Sequence, residues 1–268
     1  MAISKENQRL KEKFKNQLLK HVGSFNKAVS TADGDWVVKG FIDIAKNIYT
    51  ISVDTKVISK IMELLLFPKI CHFAEEYGYR LVLCKEQNFY PDISLVDKDN
   101  HNFALDLKST YRKNKIKVNG MTLGAFTGYF RNRQSTKNIT FPYNEYIAHF
   151  VLGVVYSRTE AVADERNVYQ LNDLRNITSV IKDFAFFLQE KYQIALDRPG
   201  SGNTRNIGSV TEVARLIEGK GPFAKLGENV FDDYWMYYLT NDMARAAELK
   251  SPAYRNLQEY KKYKKLGI

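Results

Sequence analysis

The chain has 268 residues, 44% hydrophobic and 26% charged, which suits one large domain or a domain with a small appendage. Its 40 Lys and Arg outweigh 30 Asp and Glu to give a net charge of +10, which points to a polyanionic partner and away from acidic or neutral solvating roles. No apolar run reaches the roughly 18 residues of a membrane helix, the charged start lacks the apolar core of a signal peptide, and two cysteines with four scattered histidines give neither a disulfide framework nor a zinc site. The expected setting is therefore a reducing cytoplasm, with no membrane partner and with Cys71 and Cys84 as buried thiols.

The first thirty residues read as a helix, because Leu10, Phe14, Leu18 and Leu19 recur at helical spacing. Asp33-Gly34-Asp35 ends it. The β-prone runs WVVKGFIDI and IYTISV flank Ala45-Lys46-Asn47 and predict a hairpin over Trp36 to Ile51, a plausible pairing surface between subunits. Asp54 is placed to cap a second helix, whose apolar side carries Val57, Ile58, Ile61, Met62, Leu65 and Leu66. Pro68 should interrupt or kink that helix, and Gly78 should stop it after Tyr77. Three short strands follow, over Arg80 to Cys84, Ile93 to Val96 and Asn102 to Lys108. The valine-rich run from Tyr146 to Tyr156 reads as a buried strand. The stretch from Arg158 to Leu188 reads as polar and then helical, Pro199 to Ser209 as a Gly- and Asn-rich loop, and the end of the chain as basic and aromatic.

Two features carry chemistry. Asp92 follows Pro91 at the start of one strand, and Asp106 lies fourteen residues later near the end of another. Residues two apart on a strand face the same side, so Asp106 and Lys108 project together. A hairpin between the strands would bring Asp92 beside them. Two carboxylates with a lysine suit phosphodiester hydrolysis: hard oxygen ligands hold Mg²⁺, and the ammonium offsets charge on the reacting phosphate. Glu63, on the preceding helix, is a candidate for a second metal position. Immediately after Asp106, the segment from Leu107 to Pro142 holds eight Lys or Arg and no acid, mixed with hydroxyl and aromatic side chains, as a phosphate backbone requires. The second feature is the run Gly200 to Ser209. It lacks the lysine and spacing of a nucleotide-binding loop, but glycines permit close approach and its Asn and Thr side chains can bond base edges. The alternative for this run is a plain surface loop, and for Asp106 and Lys108 an exposed ion pair.

The order Pro91-Asp92, then Asp106-Leu107-Lys108, resembles the signature of the PD-(D/E)xK nuclease superfamily. Longer blocks resemble the EcoRV family of type II restriction endonucleases: SVDTKVISKIMEL at 52–64, KEQNFYPD at 85–92, ALDLKSTY at 104–111, MTLGAFTGYFRN at 121–132, STKNITFPYNEYIAH at 135–149 and GSGNTRNIGS at 200–209. They run in order from about residue 50 to about residue 240.

This resemblance implies a mixed α/β (α+β) fold, with a central mixed sheet flanked by helices. It implies one endonuclease domain over 1–268, in which about 1–55 contributes a dimerisation subdomain and about 56–250 the catalytic and DNA-binding core. Asp92 and Asp106 would be metal ligands, Lys108 the catalytic lysine and Glu63 an auxiliary acid. The loop Gly200, Ser201, Gly202, Asn203, Thr204 to Asn206 would enter the major groove, with Asn203 and Thr204 reading bases. Gln87 and Asn88 would lie at the minor groove, and Lys56, Thr110, Thr122 and Lys137 near the phosphate backbone. Glu86, Gly128 and Arg205 depart from the family pattern at positions facing DNA. The implied activity is cleavage of duplex DNA by a homodimer with Mg²⁺, at the centre of GATATC to leave blunt ends. Mn²⁺ would substitute, Ca²⁺ would support binding alone, and a companion DNA methyltransferase would accompany the enzyme in a bacterial cytoplasm. The alternatives are a structure-selective nuclease of the same superfamily and a non-catalytic DNA-binding protein of this fold.

Overall fold

The computed structural model describes residues 5–86, 88–160, 166–200 and 205–266. The chain opens with α1 (Lys5–Lys20) and α2 (Val22–Val29), so the predicted first helix is two helices broken at His21. Phe14 and Leu18 of α1 are fully buried, whereas Leu19 points to solvent. Phe14 stacks on Phe103 and Phe150 and meets Phe73 edge-on, which ties α1 to the main core.

The predicted hairpin forms from β1 (Gly40–Ile42) and β2 (Ile48–Thr50), in the register Phe41↔Tyr49. Helix α3 (Thr55–Tyr77) starts at Asp54, whose Oδ1 accepts from the backbone N–H of Lys56 at 2.8 Å and of Val57 at 3.1 Å. It stops at Gly78, whose φ of 71° is the left-handed cap that glycine adopts without strain. It runs unbroken through Pro68, which lies on the exposed side.

The rest of the chain forms β3 (Arg80–Leu83), β4 (Ile93–Val96), β5 (Asn102–Tyr111), β6 (Thr122–Ala125), β7 (Tyr146–Arg158), β8 (Val168–Tyr169) and β9 (Ile181–Glu190). A four-residue helix α4 (Lys191–Ile194) follows, then β10 (Ala195–Pro199), β11 (Asn206–Ser209), α5 (Val213–Glu218), α6 (Glu228–Tyr237), α7 (Asn241–Ala246) and α8 (Leu257–Tyr263). The central sheet has the order β3-β4-β5-β7-β9 and is mixed: β5 and β7 are parallel, and the other pairs antiparallel. One face, with Phe103, Leu105 and Leu107, packs on α1 to α3; the other carries Ala104, Val151 and Val155 toward α5 and α6. The fold is thus a mixed α+β sandwich, with helices on both sides of the sheet, as a chain with two apolar sheet faces requires.

Two smaller sheets flank it. One is β1-β2-β8; the other, β10-β11-β6, buries Leu123, Ala195 and Ile207 in the core shared with α5 and α6. Two expectations need correction. The segment from Ile181 to Glu190 is a strand, not a helix, and Asn206 to Ser209 is the middle strand of a sheet rather than loop. Both cysteines are free thiols, but each is half-buried. Among the described residues, no helix is long and apolar enough to cross a membrane.

Candidate active site

Asp92 comes immediately before β4. That strand pairs with β5 as Ile93↔Leu105, so the next step along the ladder sets Asp92 across from Asp106. The Asp92 side chain closes the end of the ladder: its Oδ2 accepts from the Leu107 backbone N–H at 2.7 Å. Asp106 is buried between β4 and β7, with 4% of its surface exposed. Lys108, two residues on and on the same face, reaches Asp106 Oδ2 at 2.8 Å and Asp92 Oδ2 at 3.9 Å. The register alone thus assembles two carboxylates around one ammonium where β4 begins beside β5.

The electrostatics follow from this crowding. Burial and the neighbouring Asp106 charge push the Asp92 carboxyl up to about 7, against the pull of Lys108. Burial works against the Lys108 charge, but the two carboxylates outweigh it and hold the ammonium above the ordinary lysine range. Two acids that repel each other in a partly dry site gain most from a shared counter-charge. Their hard oxygens are the donor set of Mg²⁺ or Mn²⁺, so the residues present fit such an ion.

Glu63 does not join this pair in one ligand cluster. It sits on α3 across a groove, paired with Lys60 at 2.8 Å. It lines two adjoining clefts. One, of about 390 Å³, also holds Lys56, Lys60, Asp92 and Leu107; the other, of about 340 Å³, holds Lys108, Thr110 and Thr122. Among the described residues, the group whose ligand atoms meet within 4.8 Å is instead Asp97, Asp99 and His101, in the turn between β4 and β5. There the Asp97 carboxylate is already committed to the Asp99 and His101 backbone N–H groups and the His101 ring, all at 2.9 Å.

Of the residues expected along DNA, Lys56, Asn88, Thr122 and Lys137 are exposed. Thr110 is buried, and its hydroxyl donates to the Asn119 carbonyl at 2.7 Å, which leaves it little freedom to reach outward. Gln87, Ser201, Gly202, Asn203 and Thr204 lie outside the described residues. The two ends of the glycine-flanked loop are fixed: Gly200 N donates to Asn206 O at 2.9 Å, and Phe126 N donates to Arg205 O at 3.0 Å. Gly200 and Asn206 are therefore held against β6, the strand that carries Thr122. Of the departures from the family pattern, Glu86, Gly128 and Arg205 are all exposed.

The sequence reading passed over a buried polar layer under the site. Tyr90 bonds His149 Nδ1 through its hydroxyl at 3.0 Å and stacks on Tyr129 and Tyr143. Lys191 lies over the Tyr90 ring, 4.0 Å from its centroid. Tyr90 is two residues from Asp92, which was the only available signal.

A family model described as restriction endonuclease EcoRV matches residues 32–265. Type II restriction enzyme EcoRV from Escherichia coli is 39% identical to this chain over 229 residues, covering 84% of this chain and 90% of the relative.

Proposed function

Because this chain belongs to the EcoRV restriction endonuclease family, we propose that it cuts both strands of a palindromic DNA duplex as a homodimer, with Mg²⁺ held by Asp92 and Asp106. The observation that carries this reading is the convergence of both carboxylates on Lys108, at 3.9 and 2.8 Å, with Lys108 lining a groove that Glu63 also lines. When bound, the metal ion polarises the scissile phosphate and makes a bound water acidic enough to react. Asp92 and Asp106 hold that ion. The Lys108 ammonium orients the attacking water and offsets negative charge on the phosphate oxygens. Glu63, across the groove, serves a second metal position or orients water toward the first. Mn²⁺ substitutes for Mg²⁺, whereas Ca²⁺, with its looser oxygen geometry, supports binding and no cleavage.

Duplex recognition is divided between two surfaces. Exposed Lys56, Thr122 and Lys137 contact phosphates and set the register, with Thr110 supporting that wall from within. The Gly200–Asn206 loop, with Asn203 and Thr204 at its centre, reads bases in the major groove, and Gln87 with Asn88 approaches the minor groove. The proposed site is GATATC, cut at its centre to leave blunt ends.

The homodimer rests on symmetry and on an apolar surface. A palindrome has a two-fold axis, and two copies place one site on each strand. On the β1-β2-β8 sheet, Phe41, Tyr49 and Val168 form one exposed cross-strand row, with exposed Ile44 at the β1-β2 turn, a surface suited to burial against a second copy. The subdomain proposed for about 1–55 narrows to this sheet as the dimerising element, while α1 and α2 serve the core. A companion methyltransferase would protect the same site in the host.

The deciding experiment is digestion of a sequenced plasmid with Mg²⁺, followed by mapping of the ends. Blunt ends at the centre of one palindromic hexamer are expected. Cleavage confined to four-way junctions, or none with any divalent ion, would overturn the proposal.

A further inference from the structure

Besides Asp92, Asp106 and Lys108, a fourth charge lies inside the fold, over the ring of Tyr90, two residues from Asp92. Lys191 begins α4, directly after the edge strand β9. Its side chain turns inward: the residue is 2% exposed, and its Nζ is buried with no hydrogen-bond partner among the described residues. Its neighbours are ring faces, Tyr90 at 4.0 Å and Tyr143 at 5.5 Å from their centroids. A third side is the backbone of β6. Gly124 sits there at φ 88°, and a Cβ at that position would stand 3.6 Å from Lys191 Nζ and 3.2 Å from the Tyr129 hydroxyl. The left-handed backbone there favours glycine, and a side chain would crowd the Tyr129 hydroxyl rather than the ammonium.

The chain fixes this lysine from behind. Glu190 and Gln193 form a reciprocal capping box at the start of α4. Glu190 is also paired at 2.9 Å with the buried Lys11 of α1, which in turn pairs with Glu228. An ammonium held dry without an ion-pair partner costs stability, and packing does not require it, since methionine would fill the same space. Burial draws its pKa down to about 8, so it stays largely charged at neutral pH. Among neighbouring charges, Asp106 favours the ammonium and Lys108 opposes it, followed by Asp232 and Arg133.

We propose that Lys191 is a positioning residue that sets the charge of the metal centre from inside the fold, opposing metal loading of the free protein and favouring negative charge on the reacting phosphate. A fixed cation that interacts with Asp106 cancels part of the potential that attracts a divalent ion. The same cation stabilises the centre once a phosphodiester brings further negative charge. The enzyme therefore holds metal weakly until DNA arrives. This inference rests on the reading of Asp92 and Asp106 as metal ligands.

The test is Mn²⁺ titration of the free protein, followed by electron paramagnetic resonance, on wild type, Lys191→Met and Lys191→Gln. An Asp92→Ala control subtracts binding elsewhere. Both neutral variants should bind Mn²⁺ roughly tenfold tighter than wild type and cut DNA with a lower kcat at saturating metal. Lys191→Met should melt no lower than wild type. A merely structural lysine would give the opposite pattern, with weaker metal binding and a lower melting temperature. Equal or weaker Mn²⁺ binding in the variants, or failure of both to fold, overturns the proposal. Absence of Mn²⁺ binding by wild type, or binding equal to that of Asp92→Ala, would instead remove the metal-ligand reading and this inference with it.

Discussion

Asp92→Asn should remove cleavage and, in the metal-free protein, raise stability. Asp92 binds a proton more tightly folded than unfolded, because its carboxyl moves from the ordinary 3.8 up to about 7 through burial and the Asp106 charge. Ionising it therefore costs the folded state. The cost is absent below about pH 4, where the acid is neutral in both states, grows as the pH rises, and is complete above about 7. Taken whole, that displacement corresponds to roughly 4 kcal/mol. About a third of the side chain meets solvent, which screens the interaction, so about 2 kcal/mol is the expected share. In a chain of this size that is roughly 5 °C in melting temperature. Asparagine keeps an oxygen to accept the Leu107 N–H. Thermal melts in chelator from pH 4 to 9 should show the two proteins level at the acid end and Asp92→Asn higher above pH 7. Excess Mn²⁺ should reverse the order, because only the wild type gains from the ion. A difference that does not change with pH, or an asparagine variant that melts lower at pH 8, would refute the electrostatic account of the site.

Asn203→Ala should lower cleavage of the cognate hexamer by 1–3 kcal/mol of discrimination or more, with little change in nonspecific binding, whereas Lys137→Ala should weaken binding to every sequence and reduce the salt slope by about one unit. Competition assays over a salt series separate the two, and a near wild-type cutting rate for Asn203→Ala would remove the loop from base reading. Ile44→Glu, on the fully exposed tip between β1 and β2, should weaken self-association roughly a hundredfold by setting a charge twice into one symmetric interface. Sedimentation that shows an unchanged dimer would place the interface elsewhere.

The sequence made some parts of this molecule legible and hid others for identifiable reasons. Asp54 and Gly78 bound α3 because caps depend on a few local atoms, and both act as expected. The hairpin over Trp36 to Ile51 was visible because its turn residues separate two β-prone runs. Strand β9 was misread because Ile181, Phe184, Ala185 and Leu188 fall at helical spacing. Here Leu188 faces the core of α1 to α3 and Phe187 the opposite core, so both faces are apolar and the alternation vanishes. Strand β11 hides behind its glycine and asparagine, since it lies in the middle of its sheet only through pairing with the distant β6. At the site, Asp92, Asp106 and Lys108 were readable because a short hairpin brings them together. Lys191 was not, because its partners Tyr90, Gly124 and Tyr143 converge only in three dimensions.

The parallel pairing of β5 with β7 has a consequence for how the enzyme comes into being. All three groups of the site are made by residue 108, yet Asp106 is buried only when Val151 docks beside it. Between them, β6 must await β11, over eighty residues later in the chain. Pairings so distant close late, since each spends loop entropy before it gains contact energy. A nascent chain that has made Asp92, Asp106 and Lys108 therefore still lacks the arrangement that brings them together in the finished fold. For a member of a restriction endonuclease family, the order of assembly is itself a safeguard: the blade is forged early and edged last.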